Sequence, residues 1–298
     1  MARFMRAVGK GSYDELWQWS IDAPEDFWLR IWDFCGAIGE RGDAVLVDGD
    51  WMPGARWFPE ARVNFAENLL AHGERSPQSE ALVFWGEDKA KRRMSHAQLR
   101  AEVARFQRLL LESGVRKGDR VAGYLPNLPE TLAAMLAATA LGAIWSSASP
   151  DFGVQGVLDR FGQIEPKILV GVDGYWYNGK PVDCLAKNAE VAARLPSLAK
   201  VVIVPYLSTA CDLSGIAKAV RWTDLPDSGS PISFERVAFD HPLFIMYSSG
   251  TTGVPKCIVH GHGGVLLQHL KEHQLHGDVR PGDRVFYFTT CGWMMWNW

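Results

Sequence analysis

Apolar positions along the chain fall into short runs that alternate with longer stretches of helical spacing. Leu82–Trp85, Val121–Leu125, Ala143–Ser147, Lys167–Val172, Val201–Pro205 and Leu243–Met246 read as short buried strands bounded by Gly, Pro, Asn or Asp. Between them, Leu99, Val103, Phe106 and Leu110 recur on one helical face, opened by the capping box Ser95-His-Ala-Gln98 and stopped by Gly114. Further helices are expected from Asn127-Leu-Pro-Glu130 to Leu141, over Val154–Phe161, and once within residues 173–200; Asp212–Val237 is poorly patterned. Strand and helix in regular alternation predict an α/β architecture, layered around a largely parallel sheet.

The first sixty residues follow a different rule. Trp17, Trp19, Trp28, Trp32, Trp51 and Trp57 are interleaved with Phe27, Phe34 and Phe58. With only Arg30, Arg41 and Arg56 scattered among them and no basic run, they predict aromatic packing within an N-terminal helical cap rather than a stacking platform for bases. Pro24 followed by Glu25 and Asp26 opens a helix over Phe27–Phe34, since proline suits the first turn and acids suit the positive end of the helix dipole. A proline-punctuated loop leads on to an amphipathic helix at Asn64–Ala71. The expected division is therefore a cap over 1–60 and an α/β body over 61–298.

Composition narrows the function classes. The 298 residues are 47% hydrophobic, enough for a sizeable core, and carry a net charge of −3. The one basic cluster, Lys89, Lys91, Arg92 and Arg93, is short and expected on a surface turn, so nucleic acid is not the expected partner. Five scattered cysteines without a CxxC pair suggest neither a disulfide framework nor a cysteine zinc site, and fit a reducing cytoplasm. The longest apolar run, Leu132–Trp145, falls short of the ~20 residues that span a bilayer.

The chemistry concentrates in Tyr247-Ser-Ser-Gly-Thr-Thr-Gly-Val-Pro-Lys256, between the run Leu243–Met246 and a second short run, Cys257–Val259. The hydroxyls of Ser248, Ser249, Thr251 and Thr252 surround Gly250 and Gly253, which let backbone N–H groups turn inward as an anion-binding nest. Lys256 adds a cation. Hydroxyls, bare amides and one ammonium suit a polyphosphate such as that of ATP. The glycines stand three apart and Lys256 is followed by Cys257, so this is not a Walker loop. Two other patterns compete for attention. His269-Leu-Lys-Glu-His273 fits the H-x-x-E-H pattern of inverted zinc proteases, with Asp278 or Asp283 as crowded third ligands. Val115-Arg-Lys-Gly-Asp-Arg-Val121 is echoed by Val279-Arg-Pro-Gly-Asp-Arg-Val285, which marks either similar turns or two similarly built α/β subdomains.

The ten residues Tyr247–Lys256 resemble the phosphate loop of the adenylate-forming acyl-CoA synthetases. The segments Tyr13–Phe34, Pro53–Pro59, Asn64–Asn68, Ile144–Gly153 and Thr290–Trp298 are similar to the acetoacetate-specific branch of that family. The resemblance spans essentially the whole chain. It implies the family's large N-terminal domain, incomplete here and without the mobile C-terminal domain. It also implies a reaction: acetoacetate, ATP and CoA give acetoacetyl-CoA, AMP and diphosphate through an adenylate. By resemblance, Ser248, Ser249, Gly250, Thr251, Thr252, Gly253 and Lys256 hold the phosphates with Mg²⁺. Thr251, Thr252 and Lys256 act in catalysis, and Trp293, Met294 and Met295 wall the acyl pocket. A ligase for acetate, propionate or butyrate, a non-catalytic nucleotide-binding module, and a zinc protein using His269 and His273 remain as alternatives.

Overall fold

The computed structural model describes residues 1–248 and 253–298. Within them the chain divides into two compact units, one of residues 1–68, 236–241 and 260–286, the other of 69–235, 242–259 and 287–298.

The second unit is built on a seven-stranded sheet. Its strands are β1 (Arg120–Tyr124), β2 (Ile144–Ala148), β3 (Ile168–Val172), β4 (Lys200–Val204), β5 (Ala219–Arg221), β6 (Pro242–Ser248) and β7 (Lys256–Gly261). They lie in the order β5-β4-β3-β1-β2-β6-β7, and every pairing from β5 to β6 is parallel. Parallel strands are covered on both faces, which is why β3 is buried throughout and β1 and β4 are buried beyond their first residue. The covering helices are His96–Glu112, Pro129–Ala140, Val154–Ile164 and Leu185–Ala193. The first opens with the expected capping box: Ser95 Oγ accepts from Gln98 N (3.2 Å), and Ser95 N donates to Gln98 Oε1 (2.8 Å). Val157, Phe161, Leu169, Val191, Ile203 and Ile245 meet in one buried cluster beneath the sheet.

Two features differ from the expectation. Leu82–Trp85 does not join the parallel sheet; Glu80–Gly86 pairs antiparallel with Ala90–Ser95 as a separate hairpin. The basic cluster is therefore mostly strand rather than turn, and its two arginines are paired locally. Arg92 makes a two-pronged ion pair to Glu130 (2.6 and 2.8 Å), and Arg93 bonds Glu80. A second hairpin, Gly174–Tyr177 with Lys180–Asp183, occupies what reads as loop in the sequence.

In the first unit, helices Tyr13–Asp22 and Pro24–Cys35 pack with helix His262–Lys271, which continues as a π-helical turn over Glu272–His276. Pro24 stands in the first turn and Gly36 closes the helix at φ +70°, where only glycine sits without strain. Aromatic packing is as expected for part of the cap: Phe4 meets Phe34 at 5.1 Å and Trp32 meets Phe58 at 5.3 Å. Trp17 and Trp51 instead face solvent.

Candidate functional site

In a parallel sheet with helices as crossovers, ligands bind beyond the carboxyl ends of the strands. β6 brings Ser248 to that end. Its register pairs Phe244 with Trp145 of β2, so Ser248 falls level with Ser149, in the turn after β2. The seam is held by side chains as well as backbone. Ser146 Oγ donates to the Ile245 carbonyl (2.7 Å) and lies 3.0 Å from the Tyr247 hydroxyl. Burial pushes the Tyr247 phenol above its ordinary range, so it stays a neutral hydrogen-bonding group.

Beyond Ser248, Gly253 has φ +96°, a backbone conformation that residues with a side chain rarely adopt. Lys256 opens β7, exposed, and among the described residues it has no ion-pair partner. Ser249, Gly250, Thr251 and Thr252 lie outside the described residues. The loop's return arm rests on helix Val154–Ile164, where Gln163 Nε2 donates to the Pro255 carbonyl (2.9 Å).

The tail of the chain reaches the same end of the sheet. Ser147 Oγ, in β2, donates to the Cys291 carbonyl (2.7 Å), and Trp296 Nε1 donates to Asn127 Oδ1 (2.9 Å) just after β1. Gly292 passes so close to this turn that a Cβ would meet Ser149 N at 3.0 Å and Phe152 Cζ at 3.2 Å. Trp293 and Met295 are exposed and Met294 half-buried, with Met294–Trp296 forming a single 3-10 turn. The structure thus brings Ser248 and the Trp293–Met295 segment to one edge of one sheet. Sequence reasoning missed Gly292, Gln163 and Arg160. Arg160 lies 4.7 Å from the Phe152 ring centroid and 5.8 Å from that of Tyr247.

The histidines form a different environment. His269 and His273 stand edge to face at 5.9 Å, and burial is the main reason that His269 falls to a pKa of about 4. His262, fully buried, falls to about 3 for the same reason, while its Nδ1 accepts from Phe65 N (3.3 Å). Among the described residues no group of three or more His, Cys, Asp or Glu is placed to hold a metal ion. Nor is any helix there long and apolar enough to cross a membrane.

Comparison with known proteins adds to this geometry. A family described as "AMP-binding enzyme" matches residues 69–297, and one described as "Acetyl-coenzyme A synthetase N-terminus" matches 13–69. The chain is 54% identical to acetoacetyl-coenzyme A synthetase of Rhizobium meliloti, over 99% of this chain and 45% of that protein. It is 45% identical to acetoacetyl-CoA synthetase of Macaca fascicularis, over 100% of this chain and 46% of that one. The solved acetoacetyl-CoA synthetase from Streptomyces lividans superposes with a TM-score of 0.91 at 40% identity, covering 99% of this chain and 46% of its own. The chain therefore spans a little under half the length of these relatives.

Proposed function

Because the chain belongs to the AMP-binding enzyme family, we propose that it carries the nucleotide-binding part of an ATP-dependent ligase that joins acetoacetate to CoA. The observation that carries this reading is the placing of Ser248 and Lys256 at the carboxyl edge of a parallel sheet, on strands that flank one glycine-containing loop. The names of the similar proteins support acetoacetate as the acid.

In the first step a carboxylate oxygen of acetoacetate attacks the α-phosphorus of ATP, and the bond to the β-phosphate bridging oxygen breaks. Acetoacetyl-adenylate forms and pyrophosphate leaves with the electron pair. The CoA thiolate then attacks the acyl carbon and AMP departs. Carboxylate oxygen is a poor leaving group and AMP a good one, which is why ATP is consumed. Charge builds on the departing pyrophosphate, so fixed donors and a cation there stabilise the transition state more than the ground state. Lys256 supplies the cation, Ser248 a hydroxyl and Gly253 a backbone N–H; Ser249, Gly250, Thr251 and Thr252 complete the set from the sequence pattern. Trp293, Met294 and Met295 line the acyl side, where apolar bulk suits a short chain. Mg²⁺ supplies charge neutralisation on the phosphates when bound, and the roles given to this chain's own side chains involve no metal ligation.

We assign residues 1–60 to the cap and 61–298 to part of the adenylation domain. A cytoplasmic setting is in keeping with five free thiols. The test is equilibrium binding of MgATP by calorimetry. Lys256→Ala is expected to weaken binding at least tenfold, about 1.4 kcal/mol. Unchanged affinity in that variant sinks the assignment of the loop.

A further inference from the structure

The helix Val154–Ile164 has one face that touches both described ends of the phosphate loop. At the outgoing end, the guanidinium carbon of Arg160 stands 5.8 Å from the centroid of the Tyr247 ring, immediately before Ser248. At the returning end, Gln163 bonds the Pro255 carbonyl (2.9 Å) and its Oε1 lies 3.7 Å from Cys257 Sγ, on either side of Lys256. Residues three apart on a helix share a face, so Arg160 and Gln163 together place this face beside both described ends of the loop.

Arg160 is set up unlike an ordinary surface arginine. Its guanidinium carbon is also 4.7 Å from the centroid of Phe152, so it lies against two aromatic rings. Of five N–H donors, Nη1 is engaged by the Gly156 carbonyl (2.6 Å), and among the described residues no carboxylate pairs with it. The residue is half-buried, leaving its other donors reachable. A guanidinium beside rings rather than beside an acid is not neutralised by a carboxylate, and its planar fork of donors matches phosphate oxygens. Arg92, by contrast, is matched by the carboxylate of Glu130.

We propose that Arg160 is a phosphate-binding residue that works with Lys256 on the polyphosphate of the bound nucleotide. The proposal rests on the nucleotide-binding reading of the loop. It is tested by calorimetric binding of inorganic pyrophosphate, ATP and adenosine to the 298-residue chain, in the unaltered protein, Arg160→Gln, Arg160→Lys and Lys256→Ala. Near-ultraviolet circular dichroism reports whether the fold survives each change. Arg160→Gln is expected to weaken pyrophosphate and ATP at least tenfold with adenosine unchanged. Arg160→Lys, which keeps the charge without the planar fork, recovers part of the loss. If Arg160→Gln holds ATP and pyrophosphate within twofold while Lys256→Ala weakens both, the proposal falls and the loop assignment stands. Equal loss of adenosine in Arg160→Gln also overturns it, since the residue would then act only through packing. If the unaltered chain binds neither ATP nor pyrophosphate, the nucleotide reading falls and takes this proposal with it.

Discussion

The chain uses one turn twice. In Val115–Val121, Arg116 N donates to Asp119 Oδ2 (2.7 Å), Asp119 N donates back to the Arg116 carbonyl (3.0 Å), and Gly118 stands at φ +83°. In Val279–Val285, Arg280 N donates to Asp283 Oδ2 (2.8 Å), Asp283 N to the Arg280 carbonyl (3.0 Å), and Gly282 stands at φ +94°. The segments leaving the two turns have nothing in common. The first turn feeds β1, paired on both sides, where Val121 and Tyr124 are fully buried. The second feeds Val285, Phe286, Tyr287 and Phe288, which are 67%, 85%, 61% and 88% exposed, and no strand pairs with them among the described residues. Turn chemistry is local and is satisfied within seven residues. A strand is not: its backbone groups and one or both faces need partners that the turn cannot supply.

The comparison breaks most sharply at the residues after each turn. Tyr124→Ala removes a buried ring and the hydrogen bond from its hydroxyl to the Phe152 carbonyl (2.5 Å), and is expected to cost about 3–5 kcal/mol in urea unfolding. Phe288→Ala is expected to stay within about 0.5 kcal/mol, as for surface substitutions generally. Similar losses for both would show that the second segment is buried in solution.

Acid separates the two turns next. The second lies in the same compact unit as His262 and His269, the first does not. Both imidazoles have folded pKa values below the unfolded ~6.5, so the unfolded chain binds protons more readily. The stability they contribute is complete above pH ~6.5 and is lost as pH falls toward about 4 for His269 and about 3 for His262. The His269 share is on the order of 2–3 kcal/mol by pH 4. Hydrogen-exchange protection, taken relative to the intrinsic rate at each pH, should therefore fall between pH 7 and 4 around residues 260–286 before it does in β1–β4, and His269→Gln should flatten that dependence. An equal loss of protection in the sheet counts against it.

The smallest effect sharpens the likeness of the turns themselves. Gly118→Ala and Gly282→Ala place a side chain at positive φ with nothing within 4 Å of the new Cβ, so each incurs conformational strain alone, roughly 1–2 kcal/mol. The first is expected to appear in global unfolding and the second only in local exchange near residues 279–286. A global loss for Gly282→Ala would mean that its strand is as integrated as β1.

The same distinction explains what was readable in the sequence. Buried parallel strands are legible because both faces are apolar, and helix starts because caps are local; hence β1–β4, β6, the Ser95 box and Pro24. The hairpin Glu80–Ser95 was half missed because its second strand, Lys91-Arg92-Arg93, is polar and is strand only by virtue of its partner. The short edge strand β5 is likewise set by β4 rather than by its own pattern. At the candidate site, Ser248, Gly253 and Lys256 could be proposed from the sequence because they sit in one contiguous motif. Arg160 could not, since Phe152 and Tyr247 reach it only once β2 and β6 lie side by side. Gly292 looked like any glycine until its backbone was seen against Ser149.

The pairing of β6 with β2 also has a consequence in time. Ser146 and Ile245, joined across that seam, are separated by 99 positions, whereas β1 to β5 are all complete by Arg221. During synthesis at ~5–20 residues per second, five strands can assemble before β6 leaves the ribosome, and β2 waits as an unsatisfied edge for seconds. The loop proposed to hold the nucleotide is thus among the last parts of this sheet to be set in place. A nascent chain stalled before Pro242 should display a folded sheet that cannot yet capture ATP.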